Sequence, residues 1–210
     1  MLTIFLSAAV LAGALLTIQA EYRRNRSRVY ILKPLTTLLI LAVAALSPEV
    51  SHPLYRKAIL VGLFFALAGD VFLMLPSDKF IAGLICFLIT QICYAVAFAQ
   101  EKPLFSSRWA WIPFVLYGGV FLWYLYPNLK QMAVPVFGYG IAIAAMGWQA
   151  LDRWMTFENG SAALAVTGAI LFLMSDSALA IDRFIGKYRY APVFILGTYY
   201  LAQWLIALSV

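Results

Sequence analysis

Residues 57–75 read KAILVGLFFALAGDVFLML. The run holds no proline, and no charge falls between Lys57 and Asp70. That is the length of helix needed to cross a hydrocarbon core about 30 Å thick at 1.5 Å rise per residue. Lipid offers no partner to an unpaired peptide group, so such a run crosses as a helix. Seven further stretches read the same way: Leu2–Ala20, Ile31–Ser47, Phe80–Ala99, Trp109–Tyr126, Gln131–Ala150, Ser161–Ala180 and Tyr190–Ser209. The whole chain is 64% hydrophobic and 11% charged with mean hydropathy +0.90, whereas soluble domains are roughly 45–50% apolar and about 25% charged. The expectation is an all-α membrane protein with eight transmembrane helices, residues 1–210 forming a single integral membrane domain. Disorder and nucleic-acid binding are excluded.

The punctuation agrees. Pro48, Pro53, Pro76, Pro103 and Pro127 are expected in loops, and Pro34, Pro113, Pro135 and Pro192 in first turns, where a missing N–H is tolerated. Trp109, Trp111, Tyr124, Tyr126, Trp148, Trp154 and Tyr190 gather near span ends as interfacial anchors. The two cysteines, Cys86 and Cys93, share one apolar stretch and read as small buried hydrophobes; His52, between Ser51 and Pro53, reads as a loop residue. No metal site or cofactor is expected from this set.

The first span lacks a basic leading segment, and Arg23, Arg24, Arg26 and Arg28 follow it, which distinguishes it from a secretory signal. Counted over alternate loops, ten of the 15 Lys and Arg residues lie on one side. By the positive-inside rule that side is cytoplasmic, and both termini face the other way. Short loops favour a bacterial inner membrane, with the termini periplasmic. The net charge of +6 therefore reports topology first. Gly118-Gly119 and Gly138-x-Gly140 permit close helix packing within a chain or between chains, so oligomeric state is not legible.

Two ionisable residues lie well inside apolar spans, Asp70 in the third and Asp176 in the seventh. Each costs about 2.5–3.5 kcal/mol at mid-membrane on insertion scales, and such residues are functional candidates by default. Both contexts read small–Asp–x–x–Leu, four spans apart, which predicts parallel helices and hints at two parallel four-helix repeats. Measured from Pro76 and Asp182, both carboxylates lie at one depth, about 9 Å from the cytoplasmic ends. Lys33 is placed to reach a carboxylate or a lipid phosphate. Gln91, Tyr94, Tyr199, Tyr200 and Gln203 add hydrogen-bonding groups on the same side, so a polar pocket opening toward the cytoplasmic leaflet is expected. Glu101, Asp152 and Glu158 are expected as solvated charges on the opposite side.

No phosphate-binding glycine loop, Gly-x-Ser-x-Gly elbow or His-Glu-x-x-His zinc helix is present. Carboxylate chemistry remains. Low dielectric penalises a charged carboxylate, so of two neighbours one can serve protonated as general acid and the other ionised as base. The same pair suits a proton-coupled transporter or a lipid-binding membrane protein. A purely structural subunit is the third alternative.

The segments Lys33-Pro34-Leu35, Gly69-Asp70-Val71-Phe72-Leu73-Met74-Leu75, Phe172-Leu173-Met174-Ser175-Asp176-Ser177 and Tyr199-Tyr200-Leu201-Ala202-Gln203 resemble, in order and spacing, the YhhN-like lysoplasmalogenase family. The resemblance implies a polytopic membrane hydrolase that opens the vinyl-ether bond of lysoplasmalogens to a fatty aldehyde and a glycerophospho-choline or -ethanolamine, with no cofactor. It implies catalytic roles for Asp70 and Asp176, with Lys33, Gln91, Tyr94, Tyr199, Tyr200 and Gln203 around a lysophospholipid substrate drawn from the membrane lipids. The chain departs from the pattern at Gln91, where many members carry histidine, and a glutamine does not move protons. Which aspartate is acid and which is base is not set by the spacing.

Overall fold

The computed structural model describes residues 1–47, 52–100 and 102–210; the expectations for Pro48, Ser51 and Glu101 fall outside these. Among the described residues the chain forms eight α-helices: α1 Leu2–Tyr22, α2 Arg26–Ala45, α3 Pro53–Met74, α4 Phe80–Phe98, α5 Ile112–Leu129, α6 Ala133–Phe157, α7 Gly160–Ala180 and α8 Ala191–Leu208. A 3₁₀ turn, Lys130–Met132, joins α5 to α6, and one π-helical turn, Ile181–Ile185, extends α7.

Two helix starts follow capping chemistry rather than hydropathy. Asn25 accepts from the Arg28 N–H at 3.2 Å to start α2, and Asn159 accepts from the Ala162 N–H at 2.9 Å to start α7. Because α2 begins at Arg26, five residues before the apolar run, Pro34 lies in the helix interior and not in its first turn. Its missing N–H frees the Tyr30 carbonyl one turn back. Pro127 likewise lies within α5, and Pro53 is the first residue of α3 rather than a loop residue. Apolar windows detect only the lipid-facing part of a helix; the ends run on through interfacial residues. Both cysteines are free and half-buried.

Among the described residues seven helical segments are long and apolar enough to cross a membrane, and the chain is an integral membrane protein. One of them, Ile112–Phe157, has 46 residues and contains both α5 and α6. Within it Lys130 takes φ 47° and ψ −122°, outside helical geometry, and the two helices pack on each other.

Consecutive helices pair as α1–α2, α3–α4, α5–α6 and α7–α8, and α2 packs on α3 as α6 packs on α7. Across the bundle α4 packs on α6, and α1 and α2 both pack on α8. Polarity is inverted relative to a soluble protein. Phe64, Val120, Trp123, Val134 and Ile141 are exposed, whereas Thr17, Thr37, Thr90, Gln91 and Gln203 are fully buried. Lipid tails compete with apolar side chains on equal terms, so interior hydrogen bonds and close packing hold the helices. Close packing is clearest between α3 and α4. A Cβ on Gly62 would lie 2.4 Å from the Tyr94 ring, and one on Gly69 would lie 2.8 Å from the Phe87 ring.

At the far end of the bundle from the aspartates, Asp152 is not a solvated charge. It belongs to α6, is fully buried, and pairs with buried Lys102 at 2.5 Å. Lys102 also donates to Gln149 Oε1 at 2.8 Å, and the Ser106 and Ser107 N–H groups donate to the Asp152 carboxylate. These bonds fix the segment after α4 onto α6. Lys102→Met is expected to cost about 3–5 kcal/mol, because the two backbone donors remain but the buried carboxylate loses its counter-ion. A lowered Tm in detergent checks this.

Candidate functional site

Asp70 and Asp176 each stand four residues before the last residue of their α-helices, Met74 in α3 and Ala180 in α7. That is about 6 Å inside each end at 1.5 Å per residue. For Asp70 this is closer to the helix end than Pro76 suggested, whereas beyond Asp176 the helix runs on through the π turn to Ile185. Both carboxylates line one cavity of about 410 Å³.

Asp70 is buried and charge-paired. Its Oδ1 lies 3.3 Å from Lys33 Nζ, and its Oδ2 accepts from Thr37 Oγ1 and from the Tyr199 hydroxyl, each at 2.7 Å. Lys33 and Thr37 are one helical turn apart on α2 and so share a face. Tyr199 comes from α8 and stands edge-on to Phe87 at 5.8 Å between ring centroids. Gly69 lets Phe87 approach so closely, so the small residue before the acid shapes the wall beside it.

Asp176 is half-buried, and among the described residues it has no ion pair. Its Oδ2 accepts from Gln91 Nε2 at 3.1 Å and from the Tyr139 hydroxyl in a short bond. Both donors converge on one oxygen. The partners of Asp70 come from α2 and α8, and those of Asp176 from α6 and α4. Asp70 and Asp176 are 106 residues apart, as are Lys33 and Tyr139. Where one carboxylate meets an ammonium, the other meets a phenol.

The remaining sequence candidates lie deeper. Tyr94 donates to Gln203 Oε1 at 2.5 Å, and both are fully buried behind the cavity wall, with the Tyr94 ring tilted against Phe98 and edge-on to Phe172. Tyr200 is buried beside Tyr199 and does not line the cavity. Thr37 and Tyr139 were not singled out from the sequence. The α2 face shared with Lys33 offered a signal for Thr37; nothing local marked Tyr139.

The cavity mouth is strongly charged. Lys79, Arg183 and Lys187 surround it together with Glu21, Asp78 and Asp182. Arg183 pairs with Asp78 at 2.8 Å and Lys187 with Asp182 at 2.5 Å, and these cations remain largely exposed. Burial and the nearby Asp182 charge both raise the Tyr188 phenol above its ordinary range, so this mouth residue stays a neutral donor. Chemically, the site offers one neutralised carboxylate, one carboxyl without a counter-ion, and exposed cations at the rim.

Comparison with known proteins places the chain in a family. The chain is 35% identical over 182 residues to bovine lysoplasmalogenase TMEM86A, covering 81% of this chain and 72% of the relative. It is 33% identical over 156 residues to human lysoplasmalogenase TMEM86B, covering 74% and 64%. It is 27% identical over 203 residues to the uncharacterized membrane protein YhhN of Escherichia coli O157:H7, covering 96% of each. No solved structure matches. The family model for the YhhN family matches residues 29–210, a range that includes both aspartates and all of their hydrogen-bonding partners. The chain belongs to the YhhN family.

Proposed function

We propose that this protein is a lysoplasmalogenase in which Asp176 is the general acid and Asp70 the ionised partner. The observation that carries the reading is the unequal pairing of two carboxylates on one cavity: Lys33 neutralises Asp70, whereas among the described residues Asp176 has only neutral donors. A carboxyl group without a counter-ion in a low-dielectric site holds its proton, and a carboxylate beside an ammonium gives its proton up. The names of the bovine and human relatives supply the substrate class.

The chemistry closes on these groups. Asp176 protonates the β-carbon of the vinyl ether, leaving an oxocarbenium ion that the Asp70 carboxylate stabilises. Asp70 takes a proton from water as the water oxygen bonds to the cationic carbon, giving a hemiacetal. Collapse passes the hemiacetal hydroxyl proton to Asp176 and the Asp70 proton to the departing ether oxygen, releasing aldehyde and glycerophospho-alcohol. Both carboxyls return to their starting states, as paired carboxylates do in glycosidases. Lys33, held by Asp70, sets the charge of the site, and the exposed Lys79, Arg183 and Lys187 receive the substrate phosphate. Gln91 holds Asp176 by an N–H. This position needs a donor, which a glutamine supplies as a histidine would, so the departure at Gln91 is compatible with turnover.

The architecture we infer is eight crossings arranged as two parallel four-helix repeats. A single helix of 46 residues would be about 69 Å long, more than twice the hydrocarbon core, and the turn at Lys130 folds it back as α5 and α6. Matching helix pairs, matching Asp positions and partners from corresponding helices support the repeat. The cationic end faces the cytoplasm by the positive-inside rule, with both termini periplasmic in a bacterial inner membrane and the cavity open to the inner leaflet.

Purified wild type is expected to release fatty aldehyde from lysoplasmenylcholine or lysoplasmenylethanolamine without added metal or cofactor, as read by mass spectrometry of both products. A carrier or lipid-binding protein would return the lipid unchanged, and that result would sink the hydrolase reading.

A further inference from the structure

Asp176 borders three spaces. One is the polar cavity; the others are two apolar recesses of about 50 and 60 Å³, neither of them lined by Lys33. The larger recess lies among α5, α6 and α7, walled by Gly118, Leu122, Gly140 and Ile143. Its polar groups are already satisfied: Tyr117 donates to Ser177 at 2.8 Å, Ser177 donates to the Leu173 carbonyl at 2.7 Å, and Tyr139 is spent on Asp176. The wall therefore presents hydrocarbon, with the Asp176 carboxyl at one end.

We propose that the hydrocarbon chain of the lipid leaves the site past Asp176 into this recess, and that Gly118 determines how well long chains are accepted. The proposal rests on the hydrolase reading, in which the reacting carbons sit at Asp176. The glycerophosphate side then occupies the charged cavity, and the chain must leave on an apolar side. Each recess has about the volume of two waters, so it holds only the first carbons of the chain, and the remainder lies along the exposed apolar face of α5. Gly118 is the position that matters because a Cβ there meets no atom within 4 Å. A larger side chain fills the recess without displacing protein. Neighbouring Gly119 is equally open but does not line the recess, so it supplies a matched control.

The test compares wild type, Gly118→Leu and Gly119→Leu on a 1-propenyl lysophosphocholine, whose short chain ends before the recess, and on a long-chain 1-alkenyl lysophosphocholine, with photolabelling by a lysophosphocholine carrying a diazirine on a chain carbon close to the glycerol. In Gly118→Leu the long-over-short preference in kcat/KM is expected to fall about tenfold, the loss of roughly two buried methylenes. Gly119→Leu should keep the wild-type preference, and the label should map to α5 or α6. Equal losses on both chain lengths, or label confined to α1, α2 and α8, would overturn the proposal. If wild type labels α5 or α6, and Gly118→Leu does not, while no aldehyde is ever formed, the chain path stands and the hydrolase reading fails alone.

Discussion

Asp176→Asn is expected to reduce turnover by about 10²–10⁴-fold, the usual range for a lost general acid, while the Tm stays close to wild type. The amide keeps an oxygen to accept from Gln91 and Tyr139, and no charge is stranded because the wild-type group is neutral in this reading. What disappears is the proton. Wild-type turnover in D₂O should place one deuterium on carbon 2 of the aldehyde, because the acid protonates carbon rather than oxygen in the first step. An Asp176→Asn enzyme with undiminished turnover, or aldehyde without deuterium at carbon 2, would remove this residue from the chemistry.

Lys33→Met should cost about 3–5 kcal/mol, the scale for leaving one partner of a buried ion pair uncompensated. Asp70 is only 1% exposed, and its hydroxyl donors from Thr37 and Tyr199 do not supply a positive charge. The double variant Lys33→Met/Asp70→Asn should recover most of that loss in Tm, since both charges are then gone and the two hydroxyl bonds can be kept. Turnover should stay low in the single and the double variant alike. A double-mutant cycle on Tm reads the coupling directly. If the two substitutions simply add, the pair is not a functional unit in the fold, and the assignment of Asp70 as the ionised partner loses its basis.

The spans were readable in outline because a bilayer demands about twenty apolar residues wherever a helix crosses. Their ends were not, because caps such as Asn25 and Asn159 act outside the apolar windows. Asp70 and Asp176 stood out for the same reason as the spans: charge is rare inside a run such as 57–75. Asp152 shows the limit of that criterion. It sits near a span end, where charge is ordinary, and its burial comes from a contact with Lys102 on another segment. Tyr139 was missed because tyrosine is unremarkable in a membrane helix; only the approach of α6 to α7 gives its hydroxyl a carboxylate to bind.

Composition and periodic apolar runs determined that this chain is a helical membrane protein with two acids in its interior, since the cost of polar groups in lipid is paid residue by residue and is written locally. Helix packing decided that the two acids share a cavity, that one meets an ammonium and the other a phenol, and that apolar recesses open beside Asp176. Those properties depend on which faces meet across gaps of 33 to 129 residues, and such meetings arise when the helices assemble.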